Sequence, residues 1–198
     1  MAKLNTLLLF IFSLHCLLST AESGRPASTA GATDLIKSEC RATRYPALCI
    51  ECLSNHSTTI QTRRQLAQAA LSVSLSRAQS AASFISKLAR MRGMKAGEYA
   101  AVQDCMENVG ATVDQLSRSM KELGSLHEPV TSGDFSWHVG NVQTWVSTAL
   151  TNENMCLEGF SGAAMDGNVK VAIRRRILNC AQVTSNALAL VNRFATRH

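Results

Sequence analysis

Cysteines, histidines and one run of carboxylates are the side chains here whose types and spacing permit chemistry. Cys49-Ile50-Glu51-Cys52 has the C-x-x-C spacing of thiol–disulfide exchange. That chemistry needs the motif at a helix start within alternating strands and helices, and the chain shows no such alternation. Zinc would need a second cysteine or histidine cluster to complete a tetrahedron, and none follows. His56, His127, His138 and His198 form no metal-spaced pair and sit in no recognisable nucleophile setting. His138, beside Trp137, reads as a helix-start histidine packed on an aromatic ring. No glycine loop for phosphate and no Gly-x-Ser-x-Gly elbow occurs. The expectation is a protein that is not an enzyme and uses no cofactor or metal.

One polar pattern stands out. Asp104, Glu107 and Asp114, with Ala111 at the intervening turn, are separated by steps of three and four and return to one side of a helix. Their stripe is offset from the apolar one, so it faces outward, either as an ordinary solvated face or as an acidic strip for a basic or hydrogen-bonding partner.

The elements that must carry these residues are helical. From Asp34 to about Asn55 two short helices meet at Tyr45-Pro46, where proline starts the second piece, making a hairpin over 34–55. Then Leu66, Ala70, Val73, Ala81, Phe84, Leu88 and Met91 recur at helical steps interrupted near Arg77, with a second stripe through Leu71, Leu75, Ala78, Ala82 and Ile85. Gly93 and Gly97 bracket the end of that helix. Val102, Cys105, Val109, Val113, Leu116, Met120 and Leu123 make the next, which stops at Gly124. A third begins near Asp134, carries Val139, Val142, Val146, Ala149 and Cys156, and ends around Gly159. After a loop from Ser161 to Asn168, the last shows Ile173, Ile177, Cys180, Ala187, Val191 and Phe194. The fold class expected is all-α: an antiparallel up-and-down four-helix bundle over 62–196 with an N-terminal helical hairpin, in one domain spanning 34–198.

A basic start, an apolar run from Leu7 to Leu18 and Ser19-Thr20-Ala21 read as an export signal over 1–21. No later apolar stretch is long enough to span a membrane. Residues 22–33, small and polar, read as a flexible N-terminus. Cleavage after Ala21 removes Lys3 and Cys16 and leaves 19 basic against 14 acidic side chains, a formal +5, with six cysteines. An even count in a secreted chain fits a disulfide framework. Asn55-His56-Ser57 is a glycosylation sequon. With aromatics at 5% of the chain, no stacking platform for nucleic acid is visible, and the basic balance suggests attraction to acidic polymers or surfaces. Arg174-Arg175-Arg176 points in three directions on a helix and reads as a solvated face.

Six cysteines allow fifteen pairings. A hairpin brings Cys40 near Cys49, and adjacent antiparallel helices can bring Cys105 and Cys156 together. Cys180, on a core stripe, reads as a buried thiol, and Cys52 as packed with Leu48; a Cys52–Cys180 bridge stays open.

Several segments resemble the plant invertase and pectin methylesterase inhibitor family over nearly the whole mature chain. They are Ile36 to Cys49 (IKSECRATRYPALC), Asp104 to Val109 (DCMENV), Val113 to Leu116, Thr144 to Phe160 (TWVSTALTNENMCLEGF) and Ser185-Asn186-Ala187-Leu188. The resemblance implies a hairpin capping a four-helix bundle, with Cys40 bridged to Cys49 and Cys105 to Cys156. It implies a secreted inhibitor, monomeric when free, acting in the apoplast or cell wall. Its second and third bundle helices would occlude the pectin groove of a plant pectin methylesterase in a 1:1 complex. Carried over by position, acidic contacts fall on Glu107, Asp114 and Glu158, alongside Asp104 from the strip. Ala111 stands at another acidic contact, and Thr151 where some relatives carry Asp. Invertase-directed members share a Pro-Lys-Phe stretch before the last helix. Here that loop reads Ala164-Met165-Asp166-Gly167-Asn168-Val169-Lys170, which favours the esterase, with an invertase inhibitor as the alternative. A rival of another class is a secreted helical protein that binds pectin directly or carries a small apolar ligand.

Overall fold

Helix starts are written into the local sequence. Thr62 Oγ1 accepts from the Gln65 amide at 3.2 Å while Gln65 Oε1 accepts from the Thr62 amide at 3.0 Å, a reciprocal cap that satisfies two otherwise orphaned donors. Pro46 opens its helix where a missing N–H costs nothing. Thr131 Oγ1 accepts from the Asp134 amide at 3.2 Å. The computed structural model describes residues 27–126, 131–161 and 167–196. Among them are six helices: α1 (Ala27–Cys40), α2 (Pro46–Ser54), α3 (Arg63–Leu88), α4 (Ala96–Ser125), α5 (Ser132–Gly159) and α6 (Asn168–Ala195). None is long and apolar enough to cross a membrane.

Helices α3 to α6 pack in a ring, each against the next and α6 back against α3; α1 and α2 lie on the α3–α6 side. The fold is therefore the expected bundle with its hairpin, stapled by Cys40–Cys49 and Cys105–Cys156. The expected export signal over 1–21 lies outside the described residues. Three readings need correction. The stretch expected to be flexible is helical from Ala27, because Ala32 and Ile36 form one apolar edge that the bundle buries. Gly97 lies inside the first turn of α4, and only Gly93 takes the left-handed conformation that the α3–α4 connection needs, at φ 91°. Met91, expected on the apolar stripe of α3, lies beyond the helix end and is exposed, because the chain turns away after Leu88. Cys52 and Cys180 are free thiols, Cys180 buried as its place on a core stripe implies.

A nine-residue helix such as α2 is unstable alone, so its place is set by packing and by clamps from the bundle. Asn186 of α6 accepts from the Tyr45 amide at 3.0 Å and donates to the Tyr45 carbonyl at 2.9 Å, fixing the hinge backbone. Glu39, buried at the end of α1, accepts from Arg63 Nε of α3 at 2.8 Å and pairs with Arg193 Nε of α6. Burial pushes the Glu39 pKa upward, but the two arginines outweigh it and hold the carboxyl below its ordinary value of 4.5.

The core is in two parts. One joins the hairpin (Ile36, Leu53) to Leu66, Leu71, Leu116, Leu123, Val142 and Leu190. The other gathers Ile85, Val102, Val109, Phe160, Ile173 and Ile177 around the Cys105–Cys156 bridge. Between them lies a polar layer. Ser74 Oγ donates to Thr184 Oγ1 at 3.1 Å, which donates to Glu153 Oε1 at 2.9 Å; all three are buried. Deep burial raises the Glu153 pKa from 4.5 to about 8 against the Thr184 hydrogen bond, so the group is held uncharged at neutral pH.

Candidate functional site

Helices α4 and α5 are locked to each other at three levels. The Cys105–Cys156 bridge joins them at one end with Cα atoms 4.4 Å apart. Seven residues further along α4 and seven back along α5, Thr112 Oγ1 donates to the Ala149 carbonyl at 3.3 Å. At the other end Glu122 Oε1 accepts from Asn141 Nδ2 at 3.1 Å and pairs with His138 Nδ1 at 2.8 Å. As one helix advances the other recedes, so the pair is antiparallel and its register is fixed along its length. The His138 and Asn141 hydrogen bonds hold the Glu122 pKa low. His138 thus belongs to an interhelical pair and is not packed on Trp137, which points to solvent at 69% exposure.

That register decides where the expected contact residues fall. Asp104, Glu107, Asp114, Thr151 and Glu158 are all exposed. Asp104 precedes Cys105 and Glu158 follows Cys156 by two, so the bridge sets these carboxylates at the same end of the pair. Thr151, two residues from Ala149, lies level with the stretch between Glu107 and Asp114, and its hydroxyl donates to the Ser147 carbonyl at 3.1 Å. The structure therefore spreads the five along one outward surface of α4 and α5. Four carboxylates make that surface acidic, with Arg118 as a basic neighbour.

Two apolar side chains on this surface escaped the sequence reading. Trp137 lies on the Thr144, Thr151 and Glu158 line, each seven residues apart, and Met155, at 52% exposure, lies one turn from Thr151. The seven-residue step was the available signal. Glu153 was missed as well, although it continues the Val142, Val146, Ala149 and Cys156 stripe. It points into the core and takes no part in the acidic surface.

The two free thiols are the remaining candidates for chemistry. Burial raises the Cys52 pKa above 9.0, with Arg77 opposing, and lifts the Cys180 pKa to about 12. Burial therefore disfavours both thiolates, the form that exchange chemistry requires. Among the described residues no cluster of three or more His, Cys, Asp or Glu could hold a metal ion. The cavity under the hairpin, lined by Cys52, Leu53, Ala70, Val73 and Leu190, offers about 10 Å³, room for no more than one water and far too little for an apolar ligand.

A surface with fixed acidic groups and an exposed tryptophan is suited to binding another macromolecule. A family model described as plant invertase/pectin methylesterase inhibitor matches residues 34–190. The chain is 47% identical over 173 residues to the "21 kDa protein" of Daucus carota, covering 87% of this chain and 89% of that one. It is 45% identical to "Pectinesterase inhibitor 9" of Arabidopsis thaliana over 98% of this chain and 95% of the relative. Among solved structures, a mutant form of a pectin methylesterase inhibitor from Arabidopsis aligns with a TM-score of 0.61 at 18% identity. That alignment covers 77% of this chain and 92% of that chain, a likeness of fold.

Proposed function

Because this chain belongs to the plant invertase/pectin methylesterase inhibitor family and is an inhibitor protein rather than an enzyme, we propose that it inhibits plant pectin methylesterase through the α4–α5 surface. The observation that carries the reading is the acidic surface of Asp104, Glu107, Asp114 and Glu158, held in register from behind by the Cys105–Cys156 bridge. The free inhibitor is a monomer. It forms a 1:1 complex in which this surface covers the enzyme's pectin groove, and no bond is made or broken on the inhibitor.

Charge complementarity steers the encounter and fixes its register, while Thr151, Trp137 and Met155 add contact area between the carboxylates. Rigidity matters as much as charge: helices already locked together lose little freedom on binding, so more of the contact energy survives as affinity. Esterase is favoured over invertase because the named relative is a pectinesterase inhibitor and no Pro-Lys-Phe stretch precedes α6.

The protein acts after export, in the apoplast or cell wall. Asn55, exposed at the end of α2, carries the glycan on the hairpin. Since the hairpin packs on the α3–α6 side, sugar there leaves the α4–α5 surface open. The test is to titrate the mature protein against a plant pectin methylesterase and an acid invertase in parallel. Esterase activity should fall to completion at one equivalent while invertase is unaffected. No inhibition of several plant esterases from acidic to neutral pH overturns the assignment.

A further inference from the structure

On the side away from α4 and α5, helices α3 and α6 and the exposed side of α2 border an open groove of about 790 Å³. Three arginines line it from two helices: Arg77 of α3 and Arg175 and Arg176 of α6, all exposed. The arginine run was read as a solvated face because its members diverge along one helix; the partner that makes a site, Arg77, comes from another. Ion pairs among the described residues use Glu39 and Glu122 as their acids, so none of these three arginines is in an ion pair there. Glu51 of α2 is the one acid on the wall.

The groove is also built for more than charge. Arg176 is seated over the Phe84 ring at 4.1 Å, a cation–π contact that holds the guanidinium in place. Asn179 and Gln182 supply amides that can both donate and accept, and Leu178 offers an exposed apolar patch, 49% accessible. Along α6 the wall runs from Ala172 to Gln182, about 15 Å at 1.5 Å per residue, which suits a polymer segment better than a single anion.

The geometry points to a binding site for a short run of acidic polysaccharide, a polyuronate. Its carboxylates would lie on Arg77, Arg175 and Arg176, its hydroxyls on Asn179 and Gln182, and the apolar face of a sugar ring on Leu178. Guanidinium forks match carboxylates in a bidentate geometry, and amides match sugar hydroxyls. A nucleic acid would want free aromatic faces, yet Phe84 is covered by Arg176. An acidic peptide meets the same arginines but carries no ring hydroxyls for Asn179 and Gln182 to match, and polyglutamate separates the two. This inference does not rest on the proposed inhibition, since it uses the opposite side of the molecule.

The test is calorimetric titration of the full mature chain with a free-acid oligogalacturonate at low salt. Beside it run the same oligomer fully methyl-esterified and a polyglutamate of matched charge. Binding of the free acid alone, abolished by salt, is expected. Arg77→Gln/Arg175→Gln/Arg176→Gln should lower that affinity about tenfold, the sum of three exposed ionic contacts. The charge-matched control Arg41→Gln/Arg92→Gln/Lys121→Gln should bind nearly as the parent does. Equal loss in both triple variants would mean a general charge effect, and polyglutamate binding as tightly would mean an acidic peptide or any polyanion. Either result overturns the proposal, as does undiminished binding by the folded groove variant or no binding of the free acid at all.

Discussion

The two broad sides of the bundle differ in charge and in how they are held. The α4–α5 surface is acidic and is fastened directly, helix to helix, by a disulfide at one end and the Glu122–His138–Asn141 contacts at the other. The α3–α6 side is basic and is fastened directly only by non-covalent contacts, Ser74 to Thr184 and Arg176 over Phe84, with an added element across it in which Glu39 ties α1 to Arg63 and Arg193 and Asn186 grips the hinge. The difference teaches that a surface presenting short carboxylates needs backbones in fixed register, because Asp and Glu cannot reach far. Long arginines reach further, so a frame without a covalent staple between its helices serves them. Glu153 sits between the two sides in the polar layer and belongs to neither surface.

The sharpest way to break this comparison is to cut each staple separately. The bridge across the acidic pair closes 51 residues and that of the hairpin closes 9. Loop-closure entropy then predicts a loss of about 4 kcal/mol for Cys105→Ser/Cys156→Ser against about 2.5 kcal/mol for Cys40→Ser/Cys49→Ser. Urea unfolding measures both. Inhibition should suffer more from the first cut than the second; an equal loss would mean that the acidic surface does not depend on its own staple.

The two buried carboxylates give opposite pH dependence. For Glu153 the folded pKa of about 8 lies above the ordinary 4.5, so between those values the unfolded chain has released a proton that the folded chain keeps. Its contribution is fully present below pH 4.5 and is lost as pH rises through about 8, by an amount on the order of a few kcal/mol. Glu153→Gln should flatten that decline in a series of thermal melts, and an unchanged slope would show that the layer does not carry it. Glu39 behaves inversely. Its lowered folded pKa means that its contribution is present above pH 4.5 and is lost as pH falls through the folded value. With its arginines about one-third exposed, Glu39→Gln should cost about 2 kcal/mol near pH 6 and little in strong acid. A cost that persisted unchanged to low pH would contradict the clamp. Together the two groups favour mildly acidic conditions.

Much of this architecture is legible in periodicity. Val102, Cys105, Val109, Leu116 and Leu123 are buried as their spacing requires, and Tyr45-Pro46 marks the hinge because proline permits only one reading there. What escaped depends on partners from distant segments. The early turns of α1 are small and polar, with no strong stripe, and they become helical because the bundle covers Ala32 and Ile36. His138 finds Glu122 across α4, and Arg77 meets Arg175 and Arg176 only once α3 and α6 pack. The acidic strip of α4 was visible from one helix alone. Its continuation through Trp137 and Met155 needed the register of the pair.

The central claim is that inhibition resides in the α4–α5 surface, and one side-by-side titration tests it. Glu107→Lys, Asp114→Lys and Arg77→Gln/Arg175→Gln/Arg176→Gln are each measured against the same pectin methylesterase, with thermal melts to show that all three remain folded. Each lysine variant should weaken inhibition about tenfold, or about 1.4 kcal/mol, while the groove variant inhibits as the parent does. Full inhibition by both lysine variants, or a loss confined to the groove variant, would contradict the account.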